Sequence, residues 1–233
     1  MTDTFTNGTV DTFAPLGRAM TRTDLVIEAI RTAILSGKLK PGMALVERTI
    51  AEELNVSKTP VREALIALVR NGLVEMTRNR GATVRQMTLN DVLQVYQTRL
   101  LLEPWAVGEA ARKAQQNGGF QAAEALLNQA DELSVSSDKA GRVQANRKFH
   151  RLMYVSCDNA LIIDTLDSLQ DLAALGATAF LWEIWPTWDA ESQEHRKILE
   201  AVKNGEGDRA QELVANHISS SITRIINLQQ EQK

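Results

Sequence analysis

The sequence of 233 residues contains three histidines, His150, His195 and His217, all in its C-terminal half. Imidazole can bind a transition metal while neutral, so it brings no net charge into a core. Asn146 lies four residues before His150, so the two share one helix face, which Val143 and Tyr154 continue. His195 shares a face with Leu199 and Val202, and His217 follows Leu213 and Val214. Three imidazoles from three helices turned toward one interior could converge on a divalent ion. Three unrelated, hydrogen-bonded core histidines would have the same spacing, and spacing does not choose between them. Three histidines with an open position is also a catalytic pattern. Glu194 is the only obvious local base. Adjacent helical residues diverge by about 100°, so it is expected to point away from His195, and no enzyme is expected.

A second constellation is Val56-Ser57-Lys58-Thr59-Pro60-Val61-Arg62-Glu63-Ala64-Leu65. Ser57 is a polar cap, Pro60 suits a helix start, and Lys58 and Arg62 are four apart on one face. A helix opening with two cations, free N–H groups and a favourable dipole suits phosphate and the O6/N7 edge of guanine. Thr59 can reach a phosphate or a base. Arg48 sits near the start of the preceding short helix, where a backbone contact is expected. Arg80-Gly81, at a turn, puts a cation in reach of the minor groove, with a glycine allowing close approach. Surface charge on an ordinary helical pair is the competing explanation.

These groups need a frame. From Asp24, Leu25, Val26, Ala29, Ile30, Ala33 and Ile34 recur at helical intervals, and Ser36-Gly37 stops them. A short helix is predicted over 49–54 and a third over about 59–71, closed by Gly72. Segments 73–76 and 82–85 read as two short strands joined by Arg78-Asn79-Arg80-Gly81. Three helices and a β-hairpin wing make a winged helix-turn-helix. Beyond Met87 the strand signals cease. Thr88 with Asp91 marks a helix start. Helices are predicted at about 89–116, 120–134, 138–156, 159–183, 189–204 and 207–229, an all-α antiparallel bundle given its short connections. The fold class is therefore mainly α. The expected divisions are a flexible tail over 1–20, a DNA-binding domain over 21–87 and an all-helical domain over 88–233.

The balance of charge agrees with that division. Net charge is −3, yet residues 21–87 carry 11 Lys/Arg against 7 Asp/Glu, while residues 88–233 carry 14 against 20. A basic front and an acidic back fit a nucleic-acid module joined to something else. No apolar run approaches the roughly 18 residues of a membrane span, and the N-terminus lacks the features of a secretory signal. One cysteine, Cys157, allows no internal disulfide and suits a reducing cytoplasm.

Residues 25–85 resemble the N-terminal domain of GntR-type winged-helix regulators. The resemblance is carried by Ile34-Leu35-Ser36-Gly37-Lys38-Leu39-Lys40-Pro41-Gly42, Leu45, the run from Val56 to Leu65, Gly72-Leu73-Val74 and Arg80-Gly81. It implies that Arg48, Lys58, Thr59, Arg62 and Gly81 contact double-stranded operator DNA, with Ser57 and Arg80 beside them. Arginine is common at the position of Lys58. Lysine is a point charge, which favours a phosphate contact there.

Residues 89–229 resemble the all-helical FCD domain of the FadR-like branch. The carrying residues are Tyr96-Gln97-Thr98-Arg99-Leu100-Leu101-Leu102-Glu103, Asn146-Arg147-Lys148-Phe149-His150, the run from Glu194 to Val202, Gly207-Asp208-Arg209-Ala210 and Asn216-His217-Ile218. The resemblance implies that Asn146, His150, His195 and His217 hold a divalent metal ion, zinc or nickel. Asp is usual at the position of Asn146, and a neutral amide there implies weaker affinity. It further implies a small carboxylate or sugar acid as effector, anchored by Arg99. A surface salt bridge from Arg99 to Glu103 is the alternative. Trp182, Trp185 and Trp188 read as packing with a smaller prospect of ligand contact. The whole then resembles a cytoplasmic homodimeric repressor, released from a pseudo-palindromic operator by its acid.

Overall fold

The computed structural model describes residues 20–78, 81–114, 120–135, 138–181 and 188–231. The expected tail over 1–19 lies outside them, as do Arg80, Trp182 and Trp185.

Helix α1 (Arg22–Leu35) opens with a reciprocal cap, in which Thr21 accepts from the Asp24 N–H and Asp24 accepts from the Thr21 N–H at 2.8 Å. Its buried face is Val26, Ile30, Ile34 and Leu35. Gly37, at φ +73°, ends it in a conformation that disfavours other residues. Helix α2 (Glu47–Glu53) starts two residues earlier than predicted, which places Arg48 in its first turn. Helix α3 (Lys58–Arg70) buries Val61, Ala64, Leu65 and Leu68. Strands β1 (Val74–Thr77) and β2 (Gly81–Val84) pair antiparallel, Val74 opposite Val84 and Thr77 opposite Gly81. The head is thus the predicted winged helix-turn-helix.

Ser57 occupies the cap position of α3 with extended backbone, but its side chain makes no capping hydrogen bond. The expected serine cap is thus a cap by position only, and Pro60 removes one of the two N–H groups a serine oxygen meets. It is the third helical residue, and proline has no N–H for a serine oxygen to meet.

The second half is helical throughout its described residues: α4 (Leu89–Arg112), α5 (Phe120–Val135), α6 (Lys139–Tyr154), α7 (Ala160–Gly176), α8 (Trp188–Lys203) and α9 (Gly207–Glu231). Thr88 and Asp91 cap α4 reciprocally, as α1 is capped. α4 packs along α9 and α7, and α5 packs on α6 and α8. The bundle core gathers Phe149, Met153, Tyr154, Leu166, Ile198 and Ile218, all at most 2% exposed.

Two features govern the position of the head. Its core runs without a break into the bundle, joining Ile30, Leu68 and Leu73 to Val92, Val95, Leu175 and Ile225. Helix α7 also ends sooner than the pattern over 159–183 predicts. It gives way after Gly176 to a π turn, Ala177–Leu181. Gly176 lies against Val92, where a Cβ would come within 2.7 Å of Cγ2, so α7 and α4 meet there at backbone distance. Among the described residues no helix is long and apolar enough to cross a membrane.

Candidate metal centre and nucleic-acid face

Of the residues proposed from the sequence for nucleic acid, Arg62 and Gly81 line one groove of the head together with Glu47. Ser57, Lys58, Thr59 and Arg62 are exposed at the opening of α3, and Arg48 is exposed on α2. Gly81 holds φ +71° at the wing, with nothing within 4 Å of where a Cβ would stand. Arg48 pairs with Glu52 at 3.3 Å, and Arg62 forms a two-pronged pair with Glu47, Nε to Oε1 at 3.0 Å and Nη2 to Oε2 at 2.9 Å. The hydrogen bond to Arg62 holds the Glu47 carboxyl below its ordinary range and the guanidinium above its own. Both pairs are open to solvent, so exchanging a carboxylate for a phosphate costs little.

In the bundle, α6, α8 and α9 bring the three histidines together, with one ligand atom from each lying within 4.8 Å of the others. His150 is 3% exposed, His195 0% and His217 7%. The Nε2 atoms of His195 and His217 are 3.3 Å apart. Two nitrogens bound tetrahedrally to one ion at 2.0–2.1 Å are separated by about 3.4 Å, so this spacing suits a shared ion. Phe149 closes the cluster, its ring 4.9 Å from that of His195.

Carboxylates set the tautomers. His150 Nδ1 is 2.7 Å from Glu103 Oε1, and His217 Nδ1 is 2.7 Å from Glu194 Oε2. An ionised carboxylate can only accept, so in each case Nδ1 carries a proton, which leaves Nε2 as the atom free to face an ion. Burial pushes His150 down to about 4 despite the pull of Glu103. His195 is lowered well below its ordinary value by burial and by the neighbouring His217 and His150. Both are neutral at pH 7, the form that binds a metal.

Glu103 is the anchor of the site. Burial works to raise its carboxyl, but Arg99 and His150 overcome this and hold it at about 2. Arg99 donates Nε to Oε2 at 2.8 Å and Nη2 to Oε1 at 3.3 Å, and Gln170 donates to Oε2 at 3.0 Å. The Arg99–Glu103 pair is therefore real but buried, 4% and 0% exposed at the side chains, and not the surface bridge weighed as an alternative. Arg99 also lies 4.9 Å over the ring of Tyr96.

A cavity of about 40 Å³ is lined by Tyr96, Arg99, Asn146, Arg147 and Gln170, among others, and adjoins the network behind His150 through Arg99 and Gln170. Among the described residues the buried Oδ1 of Asn146 has no hydrogen-bond partner. An orphaned carbonyl oxygen one helical turn before His150 fits a cation, so the residues present suit a divalent ion.

Sequence reasoning missed Glu103 as a support for His150. It also missed Glu194 as the partner of His217, 2.7 Å from its Nδ1. The missed signal was an acidic residue one turn beyond Arg99 on an otherwise apolar face. Trp188 begins α8.

Comparison with known proteins agrees with both halves. The family described as "Bacterial regulatory proteins, gntR family" matches residues 22–84, and the FCD domain matches residues 94–220. The chain is 28% identical over 208 residues to "Probable D-xylose utilization operon transcriptional repressor" of Paenarthrobacter nicotinovorans, covering 87% of this chain and 89% of that protein. It is 28% identical over 207 residues to "HTH-type transcriptional regulator LutR" of Bacillus subtilis, covering 80% and 93%. Among solved structures, E. coli McbR/YncC shares the fold, with a TM-score of 0.76 at 21% identity over 90% of this chain and 99% of that one.

Proposed function

Because this chain belongs to the GntR family of bacterial regulatory proteins and carries their FCD domain, it is a DNA-binding transcriptional regulator and not an enzyme, and we propose that it is a homodimeric repressor whose grip on operator DNA is set by a divalent ion and a small organic acid. Residues 21–87 read the operator and residues 88–233 hold the ion, the acid and the partner subunit.

The observation that carries the reading of the bundle is the pair of carboxylates behind the histidines. Glu103 and Glu194 each take an Nδ1 proton, at 2.7 Å, and so turn an Nε2 lone pair toward a common centre. His150, His195 and His217 would hold the ion, zinc or nickel, with Asn146 as a fourth donor. When bound, such an ion supplies a fixed positive charge that attracts a carboxylate oxygen. Arg99, stacked on Tyr96 and pinned by Glu103, is held at the cavity as a second cationic anchor. A small carboxylate or sugar acid is the class that two positive groups at close range select.

On the DNA side, Lys58 neutralises phosphate, Arg62 exchanges Glu47 for a base edge or phosphate, and Ser57 and Thr59 donate hydroxyls. Arg48 and the wing residues Arg80 and Gly81 flank these contacts. Two heads on one pseudo-palindrome require a dimer. The exposed Leu101 and Trp105, 78% and 39% accessible and one turn apart on α4, are suited to a partner surface. Repression matches the printed name of the Paenarthrobacter relative.

The test is a gel shift on the DNA upstream of the protein's own gene, with and without zinc or nickel and a panel of organic acids. Retardation that acids relieve only in metal-loaded protein is the expected result. Equal retardation under all conditions sinks the effector reading, and no retardation sinks the operator reading at that site.

A further inference from the structure

The end of α7 and the π turn after it touch the head through Asp171, Leu172 and Thr178, and their neighbours line the cavity. Asp171, buried at 1%, accepts from Arg31 Nε of α1 at 2.8 Å and, through its other oxygen, from Arg147 Nε of α6. Thr178, in the π turn that follows α7, donates to the Ala174 carbonyl at 2.9 Å and sets the same hydroxyl 3.3 Å from the Leu35 carbonyl at the end of α1. Leu172 packs on Gly72, where a Cβ would lie 3.3 Å from Leu172 Cδ2. Arg147, Gln170 and Ala177 all line the cavity. The same short stretch, 170–178, thus walls the cavity on one side and grips the DNA-binding head on the other.

We propose that Arg147 is a shared arginine, alternating between Asp171 and a carboxylate in the cavity, and that this exchange is how cavity occupancy reaches α1 through Arg31. The proposal rests on the reading of the cavity as the effector site. Three observations support it. First, a cavity of about 40 Å³ has room for a few water molecules and no more, so an acid must displace a side chain to enter. Second, Arg147 is the cation there that can move at low cost. Arg99 is committed to Glu103 on a fully buried pair, whereas the Arg147 side chain keeps 15% exposure. Third, Asp171 is a single carboxylate between two guanidiniums from the two halves of the protein. Burial raises its carboxyl, and both arginines oppose this. Withdrawing Arg147 leaves Asp171 with Arg31 alone, so the contact that seats α1 on α7 is reset. α3 packs on α1, and the opening of α3 turns with it. Coupling of this kind needs a two-state element that both ligands bias, and the Arg31–Asp171–Arg147 triad is that element.

The experiment uses full-length Arg147→Gln, which shortens the side chain and removes its charge, and the near-isosteric Asp171→Asn, each checked for folding by circular dichroism and thermal melting. Operator affinity is measured on the DNA upstream of the gene, with no ligand and with citrate and acetate as probes. Hydrogen exchange is followed across α1. Arg147→Gln imitates withdrawal, so operator affinity without ligand falls at least five-fold, and residues 26–35 exchange faster than in the parent protein. Asp171→Asn, which removes the joint itself, does the same. Folded variants with affinity within two-fold of the parent and unchanged exchange in α1 overturn the proposal. Failure of the effector reading appears separately, as no thermal shift of the parent protein with zinc, citrate or acetate. The ligand-free comparison decides the joint in either case.

Discussion

His150 Nδ1 lies 2.7 Å from Glu103 Oε1, and the carboxylate that receives it is itself pinned by Arg99 and Gln170. A histidine held this way cannot rotate its ring without breaking a fully buried network. Its Nε2 is therefore set in direction before any ion arrives.

That relationship predicts an asymmetry between two carboxylates. Glu103→Gln and Glu194→Gln each lower zinc affinity by about 10–100-fold, read by competition with a chelating dye. Only Glu103→Gln also unfolds the protein more easily, because it leaves the Arg99 guanidinium buried without its counter-ion, at a cost of about 3–5 kcal/mol. The Glu194 side chain is 34% exposed and buries no such charge. Equal melting temperatures for the two variants would contradict the buried-anchor role.

Acid should destabilise the metal-free protein. His150 stays neutral in the fold down to about 4, while in the unfolded chain it takes up a proton near 6.5. The unfolded state therefore binds more protons in that interval. Stability is complete above pH 6.5 and is lost as pH falls toward 4, by about 2 kcal/mol between pH 7 and pH 5 from this one group. Urea titrations in chelator at both pH values measure it, and His150→Gln should flatten the dependence.

Metal should stabilise in proportion to occupancy. A free zinc concentration 100 times the dissociation constant adds about 2.7 kcal/mol, and for a chain of this size each kcal/mol raises Tm by about 2–4 °C. His195→Ala, at the most buried member of the trio, should abolish that increment. Persistence of the zinc shift in this variant would place the ion elsewhere.

Operator binding should depend steeply on two cations at the opening of α3. Lys58→Ala is expected to weaken binding on all sequences alike and to reduce the salt slope by about 1, as a phosphate contact does. Arg62→Ala should in addition relax sequence preference if it reads a base, costing about 1–3 kcal/mol of discrimination. Promoter occupancy that survives the double variant would remove α3 from the DNA interface.

The proposed dimer should open when Leu101 and Trp105 are charged. Leu101→Glu with Trp105→Glu is expected to give monomers in sedimentation, with circular dichroism unchanged because both side chains face outward. Half-site binding would persist at much lower affinity.

Much of this molecule is local and was therefore readable from the sequence. The caps Thr21 with Asp24 and Thr88 with Asp91, the glycine stops and the wing turn depend on residues a few positions apart, and the helices fell close to where these signals put them. The histidines were readable as inward-facing because the faces of α6, α8 and α9 were apolar around them. The bond from His217 to Glu194 was not legible because the 100° between neighbours describes the angle of Glu194 to His195 and says nothing of His217 on another helix. Ser57 takes the cap position as expected, but that its side chain makes no capping bond was not legible.

The sequence by itself determined the winged head, the helical bundle, the cations that open α3 and the inward side of each histidine, since capping, periodicity and side-chain chemistry act within a turn or two. Only the tertiary structure decided that His150, His195 and His217 meet, that Glu103 stands behind them, and that Asp171 joins Arg31 to Arg147. Those contacts span 140 residues in one case, and helix periodicity sets a direction around one axis without specifying which neighbouring helix lies across from it.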